Sequence, residues 1–123
     1  MKLEDIPVVA GFVGDGNYKY IVADVGLRKE KRTIIRLVCC PADQNPAHHI
    51  EHRRIGYRLM DEIPAPIDVD ILGGGMFGKS GECAIIAAPA PGLGREPDPD
   101  LTVRLLSEAF PGCRIEKQLG YDE

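Results

Sequence analysis

The spacing of apolar residues changes period repeatedly along this chain, and that constrains its fold more than any other feature. "NYKYIVADVG" (17–26) alternates with a period of two: Lys19, Ile21, Ala23 and Val25 fall on one face, Tyr18, Tyr20, Val22 and Asp24 on the other. Such alternation is the signature of a strand. The charged "LRKEKR" suits a connection, and the β-branched, apolar "RTIIRLVCC" (32–40) predicts a second strand. Across "ADQNPAHHIEHRRIGYRLMDEIP" the period lengthens to that of a helix. Asn45 suits its N-cap, Pro46 its first position, and Pro64 follows its end. His48, His52, Ile55 and Leu59 fall on one side of this helix, so His52 shares the inward stripe.

Alternation returns in "PIDVDILGGG", with Ile67, Val69 and Ile71 on one face, and is expected to break on the three glycines. "ECAIIAAPAPG" predicts a buried strand ended by prolines and Gly92. A second helix is expected from Asp98-Pro99, carrying Leu101, Leu105, Leu106 and Phe110 and stopping at Pro111-Gly112. "CRIEKQL" closes the chain with a short strand. The order is β-β-α-β-β-α-β, with a short extra strand near Val8–Phe12: an α/β (α+β) fold, helices packed on a mixed sheet. The 123 residues contain no repeat, low-complexity tract or evident linker, which predicts one domain over 1–123.

A net charge of −4 argues against a general nucleic-acid binder, which needs a basic surface to displace counterions from phosphates. No apolar run approaches the ~18 residues of a membrane span, and "MKLEDIPVVAGF" lacks the apolar stretch of a signal peptide. These features predict a cytoplasmic protein with reduced thiols, in which Cys39, Cys40, Cys83 and Cys113 fill the core. No separate apolar stripe is left over, so a monomer is expected.

"GGGMFGKS" (73–80) satisfies the phosphate-loop string G-x-x-x-x-G-K-[ST] letter for letter. A phosphate loop, however, joins a strand to a helix whose N-terminus meets the phosphates. The following "SGECAIIAA" is short, lacks helical spacing and runs into Pro89. Nucleotide binding at Gly73–Ser80 is therefore the weaker reading. A glycine-rich hairpin between strands 66–72 and 83–88, with Gly78 and Gly81 at positive φ, is the stronger. No cysteine is followed six positions later by arginine, as cysteine phosphatases require, and there is no G-x-S-x-G elbow.

All three histidines lie in "HHIEH", and three readings compete. His48 and His52, one turn apart, could share a metal ion with Cys39, Cys40 or Asp43. They could be partly exposed polar residues, which fits His48 and His49 better than His52. Or His52 could be a general base, kept neutral by the positive potential near a helix N-terminus.

Three segments, in order, resemble the phosphohistidine phosphatases of the Janus/Ocnus family. "NYKYIVADV" is similar to that family's F-K-Y-V strand, "ILGGG" to its C-L-G-G-G strand end, and "FPGCRIEKQLGYDE" to its closing strand and Gly-Tyr tail. The resemblance implies a six-stranded mixed sheet flanked by two helices. It implies hydrolysis of phosphohistidine in a protein, or of a small phosphoramidate, without metal or other cofactor. His52 matches the family's catalytic histidine and Lys19 the phosphate-binding lysine of F-K-Y-V. The loop "APAPGLGR" takes the place of a turn that offers backbone N–H groups to phosphate, here those of Ala90, Gly92, Leu93, Gly94 and Arg95. Two departures stand out: Met76 replaces the family's arginine after G-G-G, and alanine replaces the serine of the phosphate turn.

Overall fold

The computed structural model describes residues 2–42, 52–63, 66–89 and 99–117. After a single 3-10 turn at Leu3–Asp5, the elements run β1 (Val9–Ala10), β2 (Gly16–Leu27), β3 (Thr33–Pro41), α1 (His52–Glu62), β4 (Ile67–Ser80), β5 (Cys83–Pro89), α2 (Pro99–Ala109) and β6 (Arg114–Lys117). The strands form one mixed six-stranded sheet in the order β1-β3-β2-β4-β5-β6. β2 pairs antiparallel with β3 and β4, and β4 with β5, while the outer strands β1 and β6 pair parallel. The chain is thus an α+β domain, with the short extra strand at Val9–Ala10.

β2 is central, and its alternation feeds a core on each side of the sheet. Tyr18, Tyr20 and Val22 point to one face, where Leu37, Cys39, Phe77 and Ile86 meet Leu105 and Leu106 of α2. Ile21, Ala23 and Val25 point to the other, where Val38 and Ile67 meet Ile55 and Leu59 of α1. With both faces covered, six consecutive residues from Tyr18 to Ala23 are buried. Apolar burial of this kind contributes about 25 cal/mol per Å², the main favourable term for the domain.

The glycines of 73–75 do not break the strand. β4 runs on to Ser80, with Gly73 opposite Val22, Gly74 opposite Ile21 and Gly75 opposite Tyr20. A strand held by partners on both edges keeps its ladder despite weak local propensity. The cost surfaces as irregular register between Val22 and Ala23, and again between Gly75 and Phe77. The hairpin accordingly turns on two residues, Gly81 and Glu82. Gly81 takes φ +57° and Glu82 does not take positive φ, the demand of a II′ turn; Gly78, expected in that role, lies within the strand. α2 ends at Ala109, and Pro111 and Gly112, the latter at φ +83°, form a turn that Cys113 N–H closes by donating to the Phe110 carbonyl at 3.0 Å. Among the described residues no helix is long and apolar enough to cross a membrane.

Candidate functional site

The candidate site is built around Lys19, which the alternation of β2 places on the α1 face beside Ile21, Ala23 and Val25. Its residue surface is only 9% exposed. Its cross-strand neighbours are Cys40 of β3 and Met76 of β4, so Cys40, Lys19 and Met76 form a row across one face of the sheet. Cys40 is half-buried and Met76 is exposed. A cation sunk this far into an apolar face costs free energy unless polar or anionic groups meet its ammonium.

The seat of α1 sets what stands over that row. A Cβ added at Gly56 would lie 3.4 Å from Val69 Cγ1, 3.5 Å from Ile21 Cδ1 and 3.8 Å from Ile71 Cδ1, so the helix backbone rides directly over β2 and β4. The C-terminal end of α1 leads into β4 at Ile67, which is paired with Leu27 at the far end of β2. The helix therefore runs alongside β2 in the same direction. Position 52 lies four residues before Gly56, about 6 Å back along the helix axis. Lys19 lies two residues before Ile21, also about 6–7 Å back along the strand. Both head for the same end of the same face.

Arg58 reaches that end as well. Helical side chains lean toward the N-terminus, and Arg58 does so, its Nη1 donating to Cys40 Sγ at 2.9 Å. Its guanidinium thus meets the immediate neighbour of Lys19. The sequence pattern does not single out Arg58, and it names Cys40 only as one possible ligand of a metal. Alternation assigns Cys40 a face, but only the β2–β3 register puts it opposite Lys19.

His52 is the first described residue of α1, and its side chain is outside the described residues. The phosphate-turn residues Ala90, Gly92, Leu93, Gly94 and Arg95 lie outside them too, as do the expected cap Asn45 and Pro46. So do His48 and Asp43 of the metal reading; among the described residues no three His, Cys, Asp or Glu side chains gather as a metal site. The structure thus groups Lys19, Cys40, Arg58 and Met76, and the N-terminal end of α1 runs toward the same end of the sheet.

The phosphate-loop string has a different fate. Gly73–Ser80 is wholly strand, followed by a two-residue turn and another strand, so it has no helix N-terminus to offer a nucleotide. Lys79 points to the α2 face. Its Nζ sits 2.8 Å from the Gly81 carbonyl and 3.4 Å from Asp15 Oδ1, and over the rings of Phe110 and Phe12 at 5.0 and 5.6 Å. Gly81 N–H donates to Asp15 Oδ2 at 2.9 Å, and this bond, with Lys79 beside it, holds the Asp15 carboxyl below its ordinary value. Lys79 ties the β4–β5 turn to the segment before β2. Lys79 also borders a groove of about 650 Å³, lined with it by Asp15, Asn17, Ser80, Cys83 and Ile85.

The four cysteines are free thiols. Only Cys39 is buried; burial, with the neighbouring Cys40 thiol, pushes its pKa up to about 12. Cys40, Cys83 and Cys113 are half-buried, and of these Cys40 packs against the α1-side core, so core filling describes Cys39 fully and Cys40 in part. No protein-family model matches this chain, and no curated protein matches it either.

Proposed function

We propose that the protein hydrolyses the phosphorus–nitrogen bond of phosphohistidine, in a protein or a small phosphoramidate, with His52 as general base. The observation that supports this best is the burial of Lys19 at the end of the α1 face toward which the His52 end of the helix runs. In this reading the phosphoryl oxygens lie against the Lys19 ammonium and the N–H groups of Ala90, Gly92, Leu93, Gly94 and Arg95. His52, near the N-terminal end of α1, is kept neutral by the local positive potential. It takes one proton of the attacking water as the water oxygen bonds to phosphorus. The P–N bond breaks, and the leaving imidazole nitrogen takes a proton from solvent, giving histidine and inorganic phosphate. The bond is labile, so positioning and charge stabilisation carry most of the catalysis. No metal takes part, and the protein works as a cytoplasmic monomer.

The test is phosphate release from phosphoramidate and from a phosphohistidine peptide, with and without chelator. His52→Ala lowers the rate by roughly 10²- to 10⁴-fold, the usual contribution of a general base, while the variant still unfolds cooperatively. Retention of most activity in that variant rejects the assignment, and loss of activity on chelation transfers it to a metal. Met76 favours a second reading, because it puts a neutral thioether beside Lys19 where a second cation would assist turnover. A non-catalytic phosphate- or phosphoprotein-binding domain would bind phosphohistidine peptide saturably and release nothing.

A further inference from the structure

We infer that Arg58 is a second anion-binding residue of this site, sharing one doubly charged phosphoryl group with Lys19; this rests on the phosphate reading above. Cys40 and Lys19 are directly opposed across β2 and β3, which sets their Cβ atoms about 5 Å apart on one face. Arg58 Nη1 stands 2.9 Å from Cys40 Sγ. Arg58 and Lys19 therefore flank the same side chain, Cys40, from different elements, one from the helix above and one from the sheet below.

The partner that Arg58 holds in this structure is easy to displace. A thiol sulfur is a weak acceptor, whereas the planar fork of a guanidinium matches two oxygens of a phosphoryl group. An anion on Lys19 thus offers Arg58 a stronger partner within the reach of the same side chain. The surroundings suit a negative ligand. Arg54 and Arg58 are both exposed on α1, and no acidic residue occurs in the helix before Asp61, although the whole chain carries −4. Met76, the other neighbour of Lys19, brings no charge.

The experiment is calorimetric titration of the full chain with inorganic phosphate at a pH where it is dianionic, and with acetate as a singly charged probe. The unsubstituted chain binds phosphate in preference to acetate. Arg58→Ala weakens phosphate binding roughly ten- to hundredfold, as expected for loss of a hydrogen-bonded charge. Arg58→Lys recovers part of the loss, since it restores the charge without the fork. Arg28→Ala, at the opposite end of β2 and paired with Asp68 at 3.4 Å, controls for net charge and leaves binding unchanged. Phosphate binding by Arg58→Ala within about twofold of the unsubstituted chain overturns the role of Arg58 and leaves the phosphatase reading standing. Failure of the unsubstituted chain to bind phosphate overturns both, and is seen before any substitution is made. If Arg58→Ala does not fold, alkylation of Cys40 by iodoacetamide in the unsubstituted chain decides. Severalfold slowing by phosphate supports the shared site, and an unchanged rate overturns it.

Discussion

Replacing Gly56 by alanine tests the seat of α1, on which the placement of the candidate site depends. Glycine in a helix interior costs about 1 kcal/mol relative to alanine. The new methyl would lie 3.4, 3.5 and 3.8 Å from the Val69, Ile21 and Ile71 side chains, which is ordinary van der Waals contact. It enters a buried position without displacing anything and adds at most about 0.8 kcal/mol of apolar burial. Gly56→Ala should therefore stabilise the protein by about 1–2 kcal/mol, raising Tm by several degrees for a chain of this size. Urea unfolding checks this: the midpoint rises while the slope is unchanged, as for a change in stability alone. Gly56→Val, whose extra methyls meet atoms already in contact, should instead destabilise by about 1–3 kcal/mol. Loss of stability in Gly56→Ala would mean that the helix sits closer to β2 and β4, or lies elsewhere. The line drawn from His52 to Lys19 would then lose its basis.

Other parts of the fold give further expectations. Gly11 takes φ +91°, and a Cβ there would stand 2.1 Å from the Cys39 carbonyl oxygen. Gly11→Ala should cost at least about 3 kcal/mol in urea unfolding, since backbone strain and a clash with another main chain add together. Lys79→Met removes the cation held by Asp15, Phe12 and Phe110 and should cost about 1–2 kcal/mol, with phosphoramidate hydrolysis unchanged; a collapse in that rate would return the glycine string to the site. Cys39 should be the last thiol alkylated in the native protein, its modification appearing only with unfolding. Burial raises its folded pKa to about 12, above the ordinary thiol value of 9.0. The folded state therefore holds this proton more tightly: the contribution is complete below the unfolded pKa and is lost as pH rises through the folded one. In that window stability should fall with an extra slope of about 1.4 kcal/mol per pH unit, absent from Cys39→Ala.

Periodicity makes much of this fold legible in the sequence, because a two-sided sheet leaves its mark on both faces of each strand. Tyr18, Tyr20 and Val22 against Ile21, Ala23 and Val25 reads as a strand covered on both sides, and that is how β2 is buried. The helical stripes of Ile55 and Leu59, and of Leu105 and Leu106, are equally plain and equally buried. The glycine run misleads because glycine's weak strand propensity is a local property, while two flanking strands hold β4 through its backbone. One signal of the true course is present: Phe77 and Lys79 resume the alternation after the glycines, both facing α2.

The site is legible only where one element suffices to define it. The face of Lys19 follows from its own strand, and the inward side of position 52 from its own helix. That these two meet at one end of the sheet depends on the direction of α1 over β2, a property of packing that no single segment encodes. Arg58 and Cys40 lie a level deeper, since their meeting requires the β2–β3 register, the helix seat and the lean of a long side chain together. The same hierarchy explains Lys79: its string promises phosphate chemistry, but the strand that contains it turns its ammonium to two phenyl rings and a carboxylate on the opposite side of the sheet. A short motif names residue types, whereas chemistry needs a particular backbone beneath them. Here that backbone withholds a helix from the lysine with the recognisable spelling. It gives the sunken position on the α1 face to a lysine that no phosphate-loop string marks.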